Sequence, residues 1–160
     1  MNPQTQTLDV RQFMLNHLAD VFETMLSMKV QSQDDASAPE FATRVTGSVG
    51  FGGDTVTGAV YLHLSGQFAV QCTCSMLGLT LDEITGETEV NDVVGEMTNM
   101  LAGGLKSALC DSGHPCAVST PAIIRGNSYQ IEAMPDVERV LLAFRSDTNP
   151  VLVEVHIKQH

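Results

Sequence analysis

Hydrophobic positions in two long segments of the chain follow helical spacing. In residues 8–28, apolar side chains recur every three or four positions over about five turns. The same spacing runs through residues 89–110, and Gly113 and Pro115 follow as stop signals. Each segment is therefore predicted to be a long amphipathic helix that buries one face.

Shorter elements are predicted between these two helices. A polar loop spans residues 31–39, and the alternating runs 41–51 and 55–64 predict a hairpin with the glycines of "GFGGD" at its turn. A shorter helix is expected over 66–77, with Ser65 as its N-cap. The stretch "TLDEITGETE" then predicts a loop with one helical turn.

Strand-like runs fill the last part of the chain. They cover residues 117–124, 127–133, 138–145 and 150–158, and "SDTN" predicts a tight connection between the last two. Residues 18–26 also align without gaps to residues 93–101, and strand pairs follow each copy. The fold class expected is α+β: a pseudo-twofold single domain over residues 1–160, with two long helices packed on one face of a mostly antiparallel sheet.

The net charge of the chain limits the kinds of molecule that it is expected to bind. The 8 basic and 19 acidic residues give a net charge of −11, which disfavours nucleic acid and anionic membranes. No apolar run approaches the roughly 18 residues that a membrane span needs, and no secretory signal is visible. We therefore expect a cytoplasmic protein whose partner is another protein, or a ligand that brings its own cation.

The cysteines and histidines fit no common catalytic or metal-binding pattern. Cys72 with Cys74, and Cys110 with Cys116, have the spacings C-x-C and C-x5-C, and neither is typical of zinc sites, even with His114 between the last two. We expect the four cysteines to be buried small side chains, with metal or redox chemistry as the alternative. The five histidines are scattered, and the glycines at 50–53 lack the Gly-Lys-Ser/Thr of a P-loop.

The second long helix carries a polar stripe opposite its hydrophobic face. At about 100° per residue, its members fall on one side of the helix; they are Asp92, Glu96, Asn99, Gly103 and Lys106. Glu96 and Asn99 are three apart, so their side chains are neighbours. Gly103 and Gly104 each cost roughly 1 kcal/mol relative to alanine. They suggest close approach of another group, although a solvated face is an alternative explanation of the stripe.

Reading from Asp92, the sequence gives D-x3-E-x2-N-x21-P, which ends at Pro121. This resembles the signature of the CheC/CheX/FliY phosphatases of bacterial chemotaxis, which dephosphorylate the response regulator CheY. The resemblance covers residues 8–157 approximately. It is closer to CheX than to CheC, because Val21 and Thr24 replace the acid and the amide in the first helix. CheX-like members are typically homodimers, so the resemblance implies a homodimer.

The resemblance implies a role for each residue of the signature. Asn99 would position the water that attacks the aspartyl phosphate of a phosphorylated response regulator, and Glu96 would pair with the receiver's active-site lysine. The protein would need no cofactor of its own, since Mg2+ is expected on the receiver. Asp92 would support the first helical turn or be a plain N-terminal acid, and Pro121 would shape the start of a strand. Gly103 would admit a receiver loop or serve packing inside the domain.

Two other functions remain open from the sequence. The chain could be a non-catalytic module that binds a receiver domain, as in flagellar switch proteins. It could also be a structural dimer whose polar stripe is only solvated surface. The intact pair of Glu96 and Asn99 favours the phosphatase.

Overall fold

Two hairpins that meet along their inner strands form the centre of the sheet. The computed structural model describes residues 8–33, 39 and 41–160. Strand β2 (Arg44–Gly52) pairs with β3 (Val56–Ser65), as the first predicted hairpin requires. Strand β6 (Glu138–Ser146) pairs with β7 (Asn149–Gln159), and β3 pairs with β7 between the two hairpins.

Short strands extend the sheet at both edges. Strand β1 (Gln31–Ser32) pairs with β6 at one edge, whereas β4 (Ala117–Val118) and β5 (Ala122–Gly126) pair with β2 at the other. All strand pairs in the described part of the chain are antiparallel. The predicted antiparallel character of the sheet is therefore confirmed.

Three helices lie against this sheet. The two long ones, α1 (Val10–Leu26) and α3 (Glu87–Asp111), agree with the helical periodicity to within two or three residues at each end. The short helix α2 (Gly66–Leu77) has the predicted bounds, because the Ser65 hydroxyl accepts a hydrogen bond from the Phe68 backbone N–H at 3.1 Å.

The hydrophobic core lies between the helices and one face of the sheet. Successive strand residues point to opposite faces, so every second position of β3 and β7 enters the core. These fully buried positions are Val56, Val60, Leu62 and Leu64 of β3, and Val151, Val153, Val155 and Ile157 of β7. Helix α1 contacts β6, and α3 contacts β2, so each long helix covers the hairpin of the other half. This is the layout of the expected pseudo-twofold α+β domain.

One predicted strand is interrupted and another is wrong. The run 117–124 contains β4 and part of β5, which both pair with β2, but residues 119–121 leave the ladder because the pairing shifts by one residue, from Phe51 opposite Val118 to Ser48 opposite Ala122. Residues 127–133 form no strand; they belong to an irregular segment that begins on the sheet face opposite the helices, where the Tyr129 hydroxyl hydrogen-bonds to Thr46. The predicted loop at 31–39 begins with β1, and its residues 34–38 lie outside the described part of the chain.

The cysteines are less buried than expected. Cys72 is buried, Cys74 and Cys116 are half-buried, and Cys110 is exposed; all four are free thiols. The expectation of burial is wrong for Cys110 because its position in the last turn of α3 faces away from the sheet. Of the helices in the described residues, none is long and apolar enough to cross a bilayer.

Candidate functional site

The polar stripe of α3 lies at the surface, as its spacing predicted. Asp92 and Glu96 are exposed, and Asn99 and Gly103 are half-buried. Within the described chain, the side chains of Asp92, Glu96 and Asn99 make no hydrogen bond or salt bridge to another residue. Their polar groups are thus free to bind a partner.

The opposite face of the same helix is fixed against strand β2. Thr98 is fully buried, and its hydroxyl donates to the Val94 carbonyl oxygen at 2.7 Å. Gly47 of β2 faces Thr98 so closely that a methyl group at position 47 would collide with the threonine side chain. This close packing fixes the rotation of α3 about its axis, and therefore the direction in which Asn99 points.

One flank of the stripe is formed by Pro121 and strand β5. The Pro121 ring lies over Gly95 of α3, where an added methyl group would come within 3.4 Å of the ring. Arg125 of β5 donates to the Asn91 side-chain oxygen at 2.8 Å and lies 3.8 Å from the Glu87 carboxylate. The prediction that Pro121 starts a strand beside the helix is confirmed, although its role at the site remains a prediction.

Helix α1 forms the other flank. The His17 Nε2–H donates to the carbonyl oxygen of Met100 at 3.0 Å, and Met100 directly follows Asn99 in the sequence. A methyl group at Gly104 would run into the His17 ring. Stacking on Phe13, with 5.3 Å between ring centroids, fixes the histidine ring from the other side. The turn that carries Asn99 is therefore supported from both flanks.

The three glycines of α3 have different surroundings. Gly95 accommodates Pro121 and Gly104 accommodates His17, whereas a methyl group at Gly103 would meet nothing within 4 Å. Packing inside the domain thus accounts for Gly104 but not for Gly103. Close approach by another molecule at Gly103 therefore remains a prediction.

The predicted position of Asp92 in the helix is wrong. Helix α3 begins at Glu87 rather than near residue 89, so Glu87 and Glu89 are the acids of its first turn. Asp92 lies in the second turn, where a side chain complements the helix dipole only weakly. Its exposed carboxylate is instead one turn away from Glu96, on the same surface.

A second polar cluster lies on the sheet face opposite the helices. Glu154 is 3% exposed, and its carboxylate contacts His63 Nε2 at 3.2 Å, His156 Nε2 at 3.0 Å and Arg139 Nε at 3.1 Å. His63 Nδ1 in turn contacts the Thr46 hydroxyl at 2.7 Å. We refer to these five residues as the back-face cluster; none of them lies near the polar stripe in the fold, because the sheet separates them.

The back-face cluster shifts the pKa of its central carboxylate, Glu154. Burial alone would raise the pKa of Glu154, but contacts with His63, Arg139 and His156 outweigh it and lower the pKa to about 2. Burial and the nearby Glu154 charge raise the pKa of Tyr61, which packs edge-on against His156. The described residues contain no group of three or more His, Cys, Asp or Glu side chains suited to a metal ion.

Of the residues that hold the polar stripe in place, the sequence singled out Gly104 and Pro121 but missed Gly95 and His17. Gly95 was detectable as a glycine inside a helix, and His17 as a histidine close to a hydrophobic face. What they contact depends on Pro121, β5 and α1, which come together only in the fold. The back-face cluster had no local signal, since β2, β3, β6 and β7 each contribute to it.

Comparison with known families places the polar stripe inside a defined sequence profile. The profile of the family described as chemotaxis phosphatase CheX matches residues 45–145, which include Asp92, Glu96, Asn99, Gly103 and Pro121. This is well over half of the chain. No curated protein matches the sequence.

Solved structures share the whole fold. The chemotaxis protein CheX of Vibrio vulnificus is 26% identical, with a TM-score of 0.80, over 94% of this chain and 97% of that one. A CheC-like superfamily protein from Shewanella sp. PV-4 is also 26% identical, with a TM-score of 0.76, over 96% and 99%. The CheX–CheY–BeF3–Mg2+ complex of Borrelia burgdorferi shares the fold at 19% identity, with a TM-score of 0.78, over 95% and 99%.

Proposed function

Since the chain belongs to the family of chemotaxis phosphatases named CheX, we propose that it hydrolyses the aspartyl phosphate of a CheY-like receiver domain. The observation that carries the proposal is the polar stripe of α3: an acid and an amide on adjacent turns, exposed or half-buried, without partners among the described residues, and supported on both flanks. A related fold is known in a complex with CheY, which supports a receiver as the partner.

Asn99 would position the attacking water. An aspartyl phosphate is an acyl phosphate that is already prone to hydrolysis, so placing a water in line with the phosphorus is the main catalytic requirement. A carboxamide suits this task because its oxygen accepts from the water, its nitrogen donates, and it carries no charge that would repel phosphoryl oxygens. Being half-buried between its flanks, Asn99 would also lose little side-chain freedom on docking.

Glu96 would dock the receiver. Its exposed carboxylate lies one turn from Asn99, so it would reach a cation at the rim of the partner's site while the amide enters that site. The receiver's active-site lysine is the cation that we propose. Such a charge pair would fix the orientation of Asn99 and penalise misaligned docking.

The remaining signature residues would shape the contact surface. Gly103 leaves the helix backbone open, which would let a receiver loop come close to α3. Pro121 would support the turn that carries Asn99 by packing on Gly95. Asp92 would lie at the edge of the docking surface, as a second exposed acid beside Glu96. In this proposal Mg2+ belongs to the receiver's own phosphorylation site.

The decisive experiment follows the phosphate of a receiver over time. CheY-like receivers from the same genome would be phosphorylated, and their dephosphorylation measured with and without this protein in the presence of Mg2+. Accelerated decay of at least one receiver is expected. Binding without acceleration would instead identify the non-catalytic module, and no binding to any receiver would contradict both functions.

We also propose that the protein acts as a homodimer, as the single copy of the signature implied. Short strands at both edges of the sheet leave backbone groups that a second copy could pair with. Light scattering at tens of micromolar protein would test this, and a monomer mass there would contradict it. The choice of dimer surface does not affect the chemistry proposed for Asn99.

A further inference from the structure

One hydrogen bond joins the two long helices. His17 of α1 donates its Nε2–H to the Met100 carbonyl oxygen of α3 at 3.0 Å. The part of the chain that the structure describes contains no other hydrogen bond or ion pair between α1 and α3. A carbonyl oxygen can only accept, so the neutral imidazole must carry its proton on Nε2. The backbone of α3 therefore sets the tautomer of His17.

The Met100 carbonyl oxygen has a second donor in its own helix. In a regular α-helix the carbonyl oxygen of residue 100 accepts the backbone N–H of residue 104, and its two lone pairs leave room for the imidazole as well. Residue 104 is glycine, and a methyl group there would overlap the His17 ring at Nε2. The missing side chain at Gly104 is what lets the imidazole reach the backbone of α3.

The imidazole is also held from its own helix. Phe13 lies one turn before His17 on α1, and the two rings stack with 5.3 Å between centroids and 28° between their planes. Phe13 itself packs against the hydrophobic core. His17 is half-buried between this ring and Gly104, so its hydrogen bond to Met100 forms with little further loss of side-chain freedom.

We propose that His17 is a positioning residue for Asn99, an inference that rests on the phosphatase function proposed above. Asn99 directly precedes Met100, so the backbone that carries the amide is tied to α1 at the next carbonyl group. The packing of Thr98 on Gly47 fixes this turn against the sheet, and His17 fixes it against α1. A misplacement of about 1 Å can cost on the order of 10²-fold in rate, so this hydrogen bond contributes to turnover.

The hydrogen bond from His17 acts on kcat rather than on docking. Glu96, the proposed docking residue, is exposed, and its side chain makes no hydrogen bond or ion pair to α1 in the described part of the chain. Loss of the His17 bond leaves this carboxylate in place but lets the Asn99 amide move from the geometry that the water needs. Interactions that matter only in the transition state change kcat and leave ground-state binding unaltered.

The test compares two substitutions of His17 in receiver dephosphorylation. His17→Phe keeps a flat ring that can stack on Phe13 but has no donor for Met100, so kcat should fall roughly ten-fold. His17→Gln supplies an amide N–H at about the reach of Nε2 and should recover most of that loss. For both variants, KM and the affinity for a receiver that carries beryllofluoride and Mg2+ should stay within about two-fold of wild type. The stoichiometry of that binding counts the folded molecules, so partial unfolding is not read as slow turnover.

Two further variants show whether the contact itself matters. Gly104→Ala breaks the same hydrogen bond from the side of α3, so its loss in kcat and that of His17→Phe should not multiply in the double variant. Asn16→Ala is the matched control, because Asn16 is the exposed neighbour of His17 and accepts its hydrogen bond from Gln12 of the same helix at 3.4 Å. Its turnover should equal that of the wild type.

The outcomes separate this inference from the proposed function. Wild-type kcat in His17→Phe, in an assay where Asn99→Ala is inactive, would overturn the role of His17 and leave the phosphatase function standing. A loss that His17→Gln does not recover, or one explained entirely by a higher KM, would overturn it as well. If the wild-type protein accelerates the decay of no receiver, the proposed function is wrong, and the positioning role is wrong with it.

Discussion

The polar side chains of the back-face cluster pair with one another, whereas those of the polar stripe on α3 face solvent without such partners in the part of the chain that the structure describes. In the back-face cluster, the Glu154 carboxylate lies within 3.2 Å of three basic side chains of the same chain. On the stripe, Glu96 and Asn99 have no such partner among the described residues. Buried polar groups that pair with other groups of the same chain contribute to the stability of the fold. Polar groups at the surface need no such partner in the chain, so they are available to bind another molecule. The two regions should therefore respond oppositely to substitution.

The largest effect is expected at Asn99. Asn99→Ala removes both the donor and the acceptor that would hold the water, so receiver dephosphorylation should slow on the order of 10²-fold or more, mainly in kcat. Asn99→Asp should not restore the rate, because its charge would meet the phosphoryl group. Thermal melts should show a change in stability below about 0.5 kcal/mol.

Thr24→Ala is the matched control for Asn99→Ala. Thr24 aligns with Asn99 in the repeat, but its hydroxyl donates to the Asp20 carbonyl oxygen of its own helix at 2.7 Å. Its loss should leave turnover unchanged. Near wild-type turnover in Asn99→Ala would show that Asn99 is not catalytic, and a collapsed melt would place its side chain in the core.

The next effect concerns Glu154 and falls on stability. Because its folded-state pKa lies below the unfolded value, its charge stabilises the fold above about pH 4.5, and this contribution is lost as the pH falls towards about 2. Arg139 is partly exposed to solvent, which screens its charge, so we expect the Glu154 carboxylate to add about 2 kcal/mol to the free energy of unfolding at neutral pH. Glu154→Gln should lose that amount in urea unfolding at pH 7.

The difference between Glu154→Gln and the wild type should shrink as the pH is lowered. Phosphatase turnover of the folded variant should remain close to wild type, since the sheet separates Glu154 from the polar stripe. Equal unfolding free energies at pH 7 would contradict the stabilising role of the cluster. A large loss of turnover in a folded Glu154→Gln variant would contradict the inference that the back-face cluster serves stability and the polar stripe serves binding.

A smaller effect should separate two adjacent glycines of α3. Gly104→Ala would displace the His17 ring and its bond to the Met100 carbonyl oxygen, at a cost of about 1–2 kcal/mol in unfolding free energy. Gly103→Ala meets no neighbour and should stabilise the helix by up to about 1 kcal/mol. If a receiver loop approaches there, Gly103→Ala should raise KM; an unchanged KM would argue for open solvent.

The smallest effect is expected at Glu96. Glu96→Ala should weaken the apparent affinity for the phosphorylated receiver roughly five-fold, which corresponds to about 1 kcal/mol. Added salt should reduce wild-type activity more than that of the variant, because the charge pair is screened. Glu23→Ala, which removes an exposed acid of α1, is the control. Identical salt dependence in wild type and Glu96→Ala would exclude the ion pair.

The helices and hairpins were predicted well because hydrophobic periodicity, capping residues and turn glycines are all visible within a short stretch of sequence. Ser65 caps α2 at the predicted residue, and the periodicity of α3 placed Glu96 and Asn99 on an outward face. The strand-like run 127–133 was misleading, since Tyr129 packs on one face of the sheet and hydrogen-bonds to the Thr46 side chain rather than joining a strand ladder. The flanks of the polar stripe and the back-face cluster depend on contacts between distant segments, which no local pattern contains.

The pairing of β3 with β7 has a consequence for how the chain acquires its fold. Val56 lies opposite Gln159, so the centre of the sheet joins residues separated by almost two thirds of the sequence. Such distant contacts slow folding, because a long loop must close before they form. During synthesis the hairpin of β2 and β3 presents the unpaired edge of β3 until β7 leaves the ribosome. Strand β7 therefore completes the centre of the sheet, and the nascent chain is most prone to misassociation through the edge of β3 just before β7 is made.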